Sequence, residues 1–109
     1  MLENKLDTKN LINFCNETLD VSGKIALAHF RDIRDLTIKI DESPVTIADK
    51  QIEQVIRREV EKKYPDHNIV GEEFEVLNNE SEYTWYIDPI DGTRSFVAGK
   101  NDFGTLIAL

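Results

Sequence analysis

WYIDPIDGTRSF, residues 85–96, sets two carboxylates three residues apart where a β-favouring run meets a proline. Trp85, Tyr86 and Ile87 favour a strand. Asp-Pro and Asp-Gly are common turn dipeptides, so one reading of the stretch is a plain turn. The other is a cation site. Pro89 fixes φ and removes a ladder donor, which predicts that the chain turns just beyond Asp88. A turn over Pro89-Ile90 brings Asp88 and Asp91 to one side, with the Ile90 carbonyl between them. Gly92 permits a positive φ and close approach of backbone to a ligand. If a helical turn begins there, the N–H groups of Gly92 and Thr93 are placed to hold an anion. The Thr93 hydroxyl can orient a water. On spacing alone both readings stand.

Outward from this stretch, Tyr83 to Ile87 reads as a strand, as do Asn68 to Val70 and Phe103 to Leu109. Two helices precede them. Over residues 8–34, Leu11, Phe14, Cys15, Leu19, Ser22, Ile25, Ala26, Phe30 and Ile33 recur at spacings of three and four, one face of a 3.6-residue period. Gly23 weakens that helix modestly. Leu36 to Asp41 alternates and reads as a short strand or an extended arm. Thr46-Ile47-Ala48-Asp49 has the spacing of a capping box, and Ile52, Val55, Ile56 and Val60 form the stripe of a second helix. Tyr64-Pro65 ends it, because proline disfavours the α conformation in the residue before it. The expected fold class is α/β, two helices packed on an incomplete sheet begun by residues 68–71, 83–88 and 103–109. The closing GTLIAL reads as a buried-type strand that stops without turn or cap, so the 109 residues are expected to be the N-terminal part of a single domain.

Composition narrows the function. A net charge of −8 repels phosphate backbones, which argues against nucleic acid as a partner. A small phosphorylated substrate remains compatible if divalent cations reverse the local field. The sole cysteine, Cys15, cannot form an intramolecular disulfide and suits a reducing compartment. No apolar run reaches transmembrane length and MLENKLDTKN lacks a signal peptide's core, so the expected location is the cytoplasm, with no membrane partner. His29 and His67 are isolated and give no zinc signature; His29 reads as packing or solvent-exposed. The candidate ligands are therefore oxygens: Glu72, Glu73, Asp88, Asp91 and Asp49. Hard divalent cations take such ligands. Taken singly, Gly71-Glu72-Glu73 reads as a solvated acidic loop and Asp49 as a helix cap; their occurrence together with DPIDGT favours a site.

SPVTIAD (43–49), GEE (71–73) and WYIDPIDGTRSF (85–96) together resemble the inositol monophosphatase family of Mg²⁺-dependent, lithium-sensitive phosphatases, in that family's order and spacing. ESPVTIAD, DGTRSF and FGTLIAL most resemble its histidinol-phosphate phosphatase branch, with inositol-1-phosphate phosphatases the close alternative. The resemblance implies a layered αβαβα sandwich of which this chain supplies the first layers. It implies two or three Mg²⁺ ions. Glu72 is then shared between metal and nucleophilic water, and Asp88 bridges two metals. The Ile90 carbonyl is a ligand of the first metal and Asp91 a ligand of the second, with Glu73 near a further metal. Gly92 and Thr93 correspond to phosphate-binding amides, so that Glu72, Ile90, Asp91, Gly92 and Thr93 line the substrate. Thr93 and Asp49 correspond to the pair that orients and activates water. The implied reaction is hydrolysis of a small phosphorylated metabolite, and the implied assembly a homodimer. A further metal-ligating aspartate is expected in a Trp-Asp motif, whereas Trp85 is followed by Tyr86. A contrasting reading is a truncated, non-catalytic remnant that binds divalent cations or associates with itself through its open strand edge.

Overall fold

The computed structural model describes residues 6–31, 37–38, 44–45 and 47–109; of the two short segments it describes the backbone. Helix α1 spans Thr8–His29, and Asp7 caps it by accepting from Lys9 N at 3.0 Å and Asn10 N at 3.5 Å. Phe14, Thr18, Ser22 and Ala26 are its buried positions, one residue per turn. The periodicity over 8–34 overshoots the helix end. Phe30 is extended (φ −60°, ψ 132°) and Arg31 left-handed (φ 65°). Tertiary contacts account for this. The Phe30 ring lies 5.7 Å from Phe96 and 5.1 Å from Phe103, while Arg31 stacks over Phe30 at 4.7 Å and donates from Nε to Gly99 O at 3.2 Å.

Strands β1 (Thr37–Ile38) and β2 (Pro44–Val45) pair antiparallel. Helix α2 follows at Ile47–Lys63; Thr46, the first residue of the expected capping box, lies outside the described residues. Ala48, Ile52, Ile56 and Val60 are fully buried on α2, and burying each isoleucine contributes about 1.5–3 kcal/mol. Asp49 and Glu53 share that buried face. The helix packs on α1 and on the sheet. His29 joins the two helices through Gln51, Nε2 to Oε1 at 3.0 Å.

The sheet is β3 (Asn68–Val70), β4 (Thr84–Asp91) and β5 (Gly104–Ala108), in that order across it. β3 and β4 run parallel, with Val70 opposite Tyr86, and β4 and β5 antiparallel. A parallel pair needs a crossover of a dozen or more residues; here residues 71–83 provide it as a loop. On its way back, Leu77 exchanges two 2.9 Å backbone bonds with Ile69 and so covers the outer edge of β3. Trp85 and Ile87 face the helices and are buried, whereas Tyr86 and Leu106 are 56% and 54% exposed. The final strand is thus one-sided rather than buried on both faces.

The expected turn beyond Asp88 does not form. β4 continues through Pro89 and Ile90 to Asp91, and its register with β5 slips, Asp88 facing Leu106 but Asp91 facing Gly104. Three steps on one strand against two on the other is a β-bulge, a place where a strand tolerates proline. The Pro89 carbonyl is satisfied instead by the Thr105 hydroxyl at 2.7 Å.

Two aromatic groups anchor the ends of the sheet. Trp85 donates its indole N–H to His67 Nδ1 at 2.9 Å, with Tyr64 stacked on His67 and Phe14 edge-on to both Tyr64 and Trp85. At the other end Phe96, from helix α3 (Thr93–Val97), meets Phe103 edge-on at 4.9 Å. Cys15 is half-buried beside the first group, and that burial pushes its thiol above the usual range.

Candidate active site

Because β3 and β4 are parallel neighbours, their carboxyl ends open to the same side. Gly71-Glu72-Glu73 leaves β3 at the end from which β4 runs on to Asp88–Asp91. Carboxyl ends of adjacent parallel strands are the usual place for ligand crevices in open α/β sheets. The amino end of α2 reaches the same place. Glu53, one helical turn after Asp49, accepts backbone N–H bonds from Glu72, Glu73 and Phe74 at 2.8, 2.8 and 3.0 Å. Strand pairing and one buried carboxylate of α2 thus hold the Gly71–Phe74 loop at the carboxyl end of β3.

The bulge sets how the acids of β4 are presented. Strict alternation would bury Asp91, since side chains change face at every residue. With one extra residue, Pro89 and Ile90 both turn into the core, Asp88 is half-buried and Asp91 exposed. The bulge, in place of the expected turn, leaves Asp91 at the surface and Asp88 half-buried.

Gly92 follows with φ 81°, and a Cβ there would stand 2.5 Å from the Asp102 carbonyl oxygen, so both conformation and space demand glycine. Helix α3 starts at Thr93, whose hydroxyl donates to Ile90 O at 2.8 Å. With its proton committed there, the hydroxyl oxygen offers lone pairs to an incoming donor such as water.

Asp49 is 1% exposed and Glu72 lies at the surface, while Glu73 Oε1 and Asp88 Oδ1 are sealed from solvent. Among the described residues no three Asp, Glu, His or Cys side chains close into a group able to hold a metal ion. The candidate donors are carboxylates and the Ile90 carbonyl. That all-oxygen chemistry fits Mg²⁺ and not zinc, and both histidines are engaged elsewhere, His29 with Gln51 and His67 with Trp85.

Glu53, Arg57 and Gly71 were not legible as site residues. A signal did exist. Glu53 lies four residues from Asp49 and next to Ile52 on a stripe that is otherwise apolar, where a charge needs donors. A Cβ on Gly71 would stand 2.4 Å from the Glu53 Cδ, so a side chain there would force the Glu53 carboxylate to shift.

The model of the Inositol monophosphatase family matches residues 7–109, and the chain belongs to that family. It is 44% identical over 96 residues to the bifunctional phosphatase IMPL2 of Arabidopsis thaliana, covering 86% of this chain and 28% of the relative. To the histidinol-phosphatase of Chlorobaculum parvum it is 42% identical over 94 residues, 85% of this chain and 36% of that protein. The solved IMPase of Thermotoga maritima superposes with a TM-score of 0.82 at 30% identity, over 91% of this chain and 39% of that one. The chain thus spans about a third of the length of the curated relatives it matches. Among the described residues no helix is long and apolar enough to cross a membrane.

Proposed function

We propose that this chain carries the amino-terminal half-site of a Mg²⁺-dependent phosphomonoester hydrolase. The observation that supports the proposal is the parallel β3–β4 pair, from whose carboxyl ends Gly71-Glu72-Glu73 and Asp88–Thr93 continue, in a member of the Inositol monophosphatase family. Glu72, Asp88, Asp91, the Ile90 carbonyl and Glu73 would hold the cations, two or three in number. When bound, such ions lower the pKa of a water and stabilise charge on the leaving oxygen. The chain's own residues position the reactants. The Thr93 hydroxyl, its proton held by Ile90 O, accepts from the attacking water, and Asp49 is its partner in orienting that water. The N–H groups of Gly92 and Thr93 receive phosphate oxygens. The favoured substrate is a small phosphomonoester, histidinol phosphate ahead of inositol 1-phosphate, hydrolysed in the cytoplasm by a homodimer.

The test is phosphate release from both compounds with and without Mg²⁺, with Asp88→Asn as control. We expect Mg²⁺-dependent release that Asp88→Asn abolishes, faster with histidinol phosphate. Release that survives Asp88→Asn contradicts the site. No release above background overturns turnover by this chain and leaves a cation-binding or self-associating protein, a reading that the exposed Tyr86 and Leu106 on the uncovered sheet face also favour.

A further inference from the structure

We infer that Glu53 is a positioning residue: its carboxylate is the template on which the loop Gly71–Phe74 is set, and it fixes where Glu72 and Glu73 stand. The inference rests on the cation-site reading of those two acids.

Glu53 has no exposed surface. Its Oε1 accepts from the N–H groups of Glu72 and Glu73, both at 2.8 Å, and its Oε2 from Phe74 N at 3.0 Å and Arg57 Nε at 2.9 Å. An ionised carboxylate has about four acceptor positions, so protein donors fill the group. A buried charge is tolerated only when it is satisfied in this way. The loop is also held from its carbonyl side, because Arg57 Nη2 donates to Phe74 O at 3.1 Å. Gly71 closes the wrap, since the space a Cβ would need is taken by the Glu53 carboxylate itself.

Only an all-acceptor group suits this place. In Glu53→Gln one oxygen becomes an NH₂ that faces backbone N–H donors or the Arg57 guanidinium. The volume is kept but donors oppose donors. Since Asp49 and Glu53 sit four residues apart on one face of α2, the same helical turn that presents Asp49 also sets Glu72 and Glu73. Glu53 takes no part in binding the cation; it acts through the loop. The sequence contains the means for this coupling in Asp49-x-x-x-Glu53-x-x-x-Arg57 and Gly71-Glu72-Glu73.

The experiment compares the 109-residue chain with its E53Q and R57K variants by two readouts: amide hydrogen exchange at residues 72–74, and Mn²⁺ affinity measured by water-proton relaxation. We expect E53Q to speed exchange at all three amides by about tenfold or more while α1 stays protected. Mn²⁺ affinity should fall by about 10–100-fold, the usual effect of removing a group that orients metal ligands. R57K loses the link to Oε2 and Phe74 O, so amide 74 loosens more than amides 72 and 73. E53Q amides as protected as wild type, or a Mn²⁺ affinity within about twofold of it, overturn the inference. If E53Q does not fold, R57K decides alone: wild-type exchange and affinity there overturn the inference. Wild-type protein that binds no Mn²⁺ overturns the proposed function instead, and the exchange rates still decide whether Glu53 sets the loop.

Discussion

Two glycines in this chain should respond to alanine with opposite signs. Gly92 sits at φ 81°, and a Cβ there would approach the Asp102 carbonyl oxygen to 2.5 Å and the Phe103 Cα to 3.4 Å. Holding an alanine in the left-handed region costs about 1–2 kcal/mol. The overlap with Asp102 O adds to that, because the near atom is backbone and cannot swing aside. Overpacking of this kind costs about 1–3 kcal/mol, so Gly92→Ala should destabilise by about 2–5 kcal/mol in all. Gly23 lies inside α1 with nothing within 4 Å of a built Cβ. Gly23→Ala should therefore stabilise by about 0.5–1 kcal/mol, the helix-interior difference between the two residues. Urea unfolding followed by far-UV circular dichroism measures both. At about 1–3 kcal/mol per molar for a small domain, the two midpoints should separate on opposite sides of wild type. A Gly92→Ala midpoint at or above the wild-type value would refute the left-handed conformation and the Asp102 contact together.

Trp85→Phe keeps the ring stack but removes the indole donor to His67, and should cost about 1–3 kcal/mol by the same urea assay; an unchanged midpoint contradicts a buried Trp85–His67 bond. Burial raises the Cys15 pKa, so less thiolate is present at pH 8 than in an unfolded chain. Alkylation by iodoacetamide should therefore be slower in the native protein than in urea at that pH, and equal rates would contradict the packing beside Phe14. Mg²⁺ should raise the melting temperature by mass action, because the proposed cation site exists only in the folded chain; an unchanged value counts against a cation site.

Much of this architecture could be read from local signals. The stripe Ile52, Ile56 and Val60 and the stop at Tyr64-Pro65 give α2 its place and end, and the apolar runs at 68–70 and 83–87 fall on β3 and β4. What escaped depends on contacts between distant residues. Phe30 leaves the helix because Phe96 and Phe103 receive its ring, which the period of α1 cannot reveal. Pro89 reads as a strand end by itself; only Thr105, supplying a hydroxyl to its carbonyl from the neighbouring strand, lets β4 run on as a bulge. Glu72, Asp88 and Asp91 stand out in the sequence as candidates by motif. Glu53 was not, because a lone glutamate beside an apolar stripe shows its purpose only once three amides from residues 72–74 are seen around it.

Mn²⁺ added to isotope-labelled protein tests the shared site most directly, through paramagnetic broadening of backbone amide signals. Amides of residues 71–74 and 88–93 should fade together, along one binding curve, ahead of those near the surface acids Glu59, Glu61, Glu80 and Glu82. Broadening of one segment without the other, or of the surface acids first, would contradict a cation held between the two strand ends.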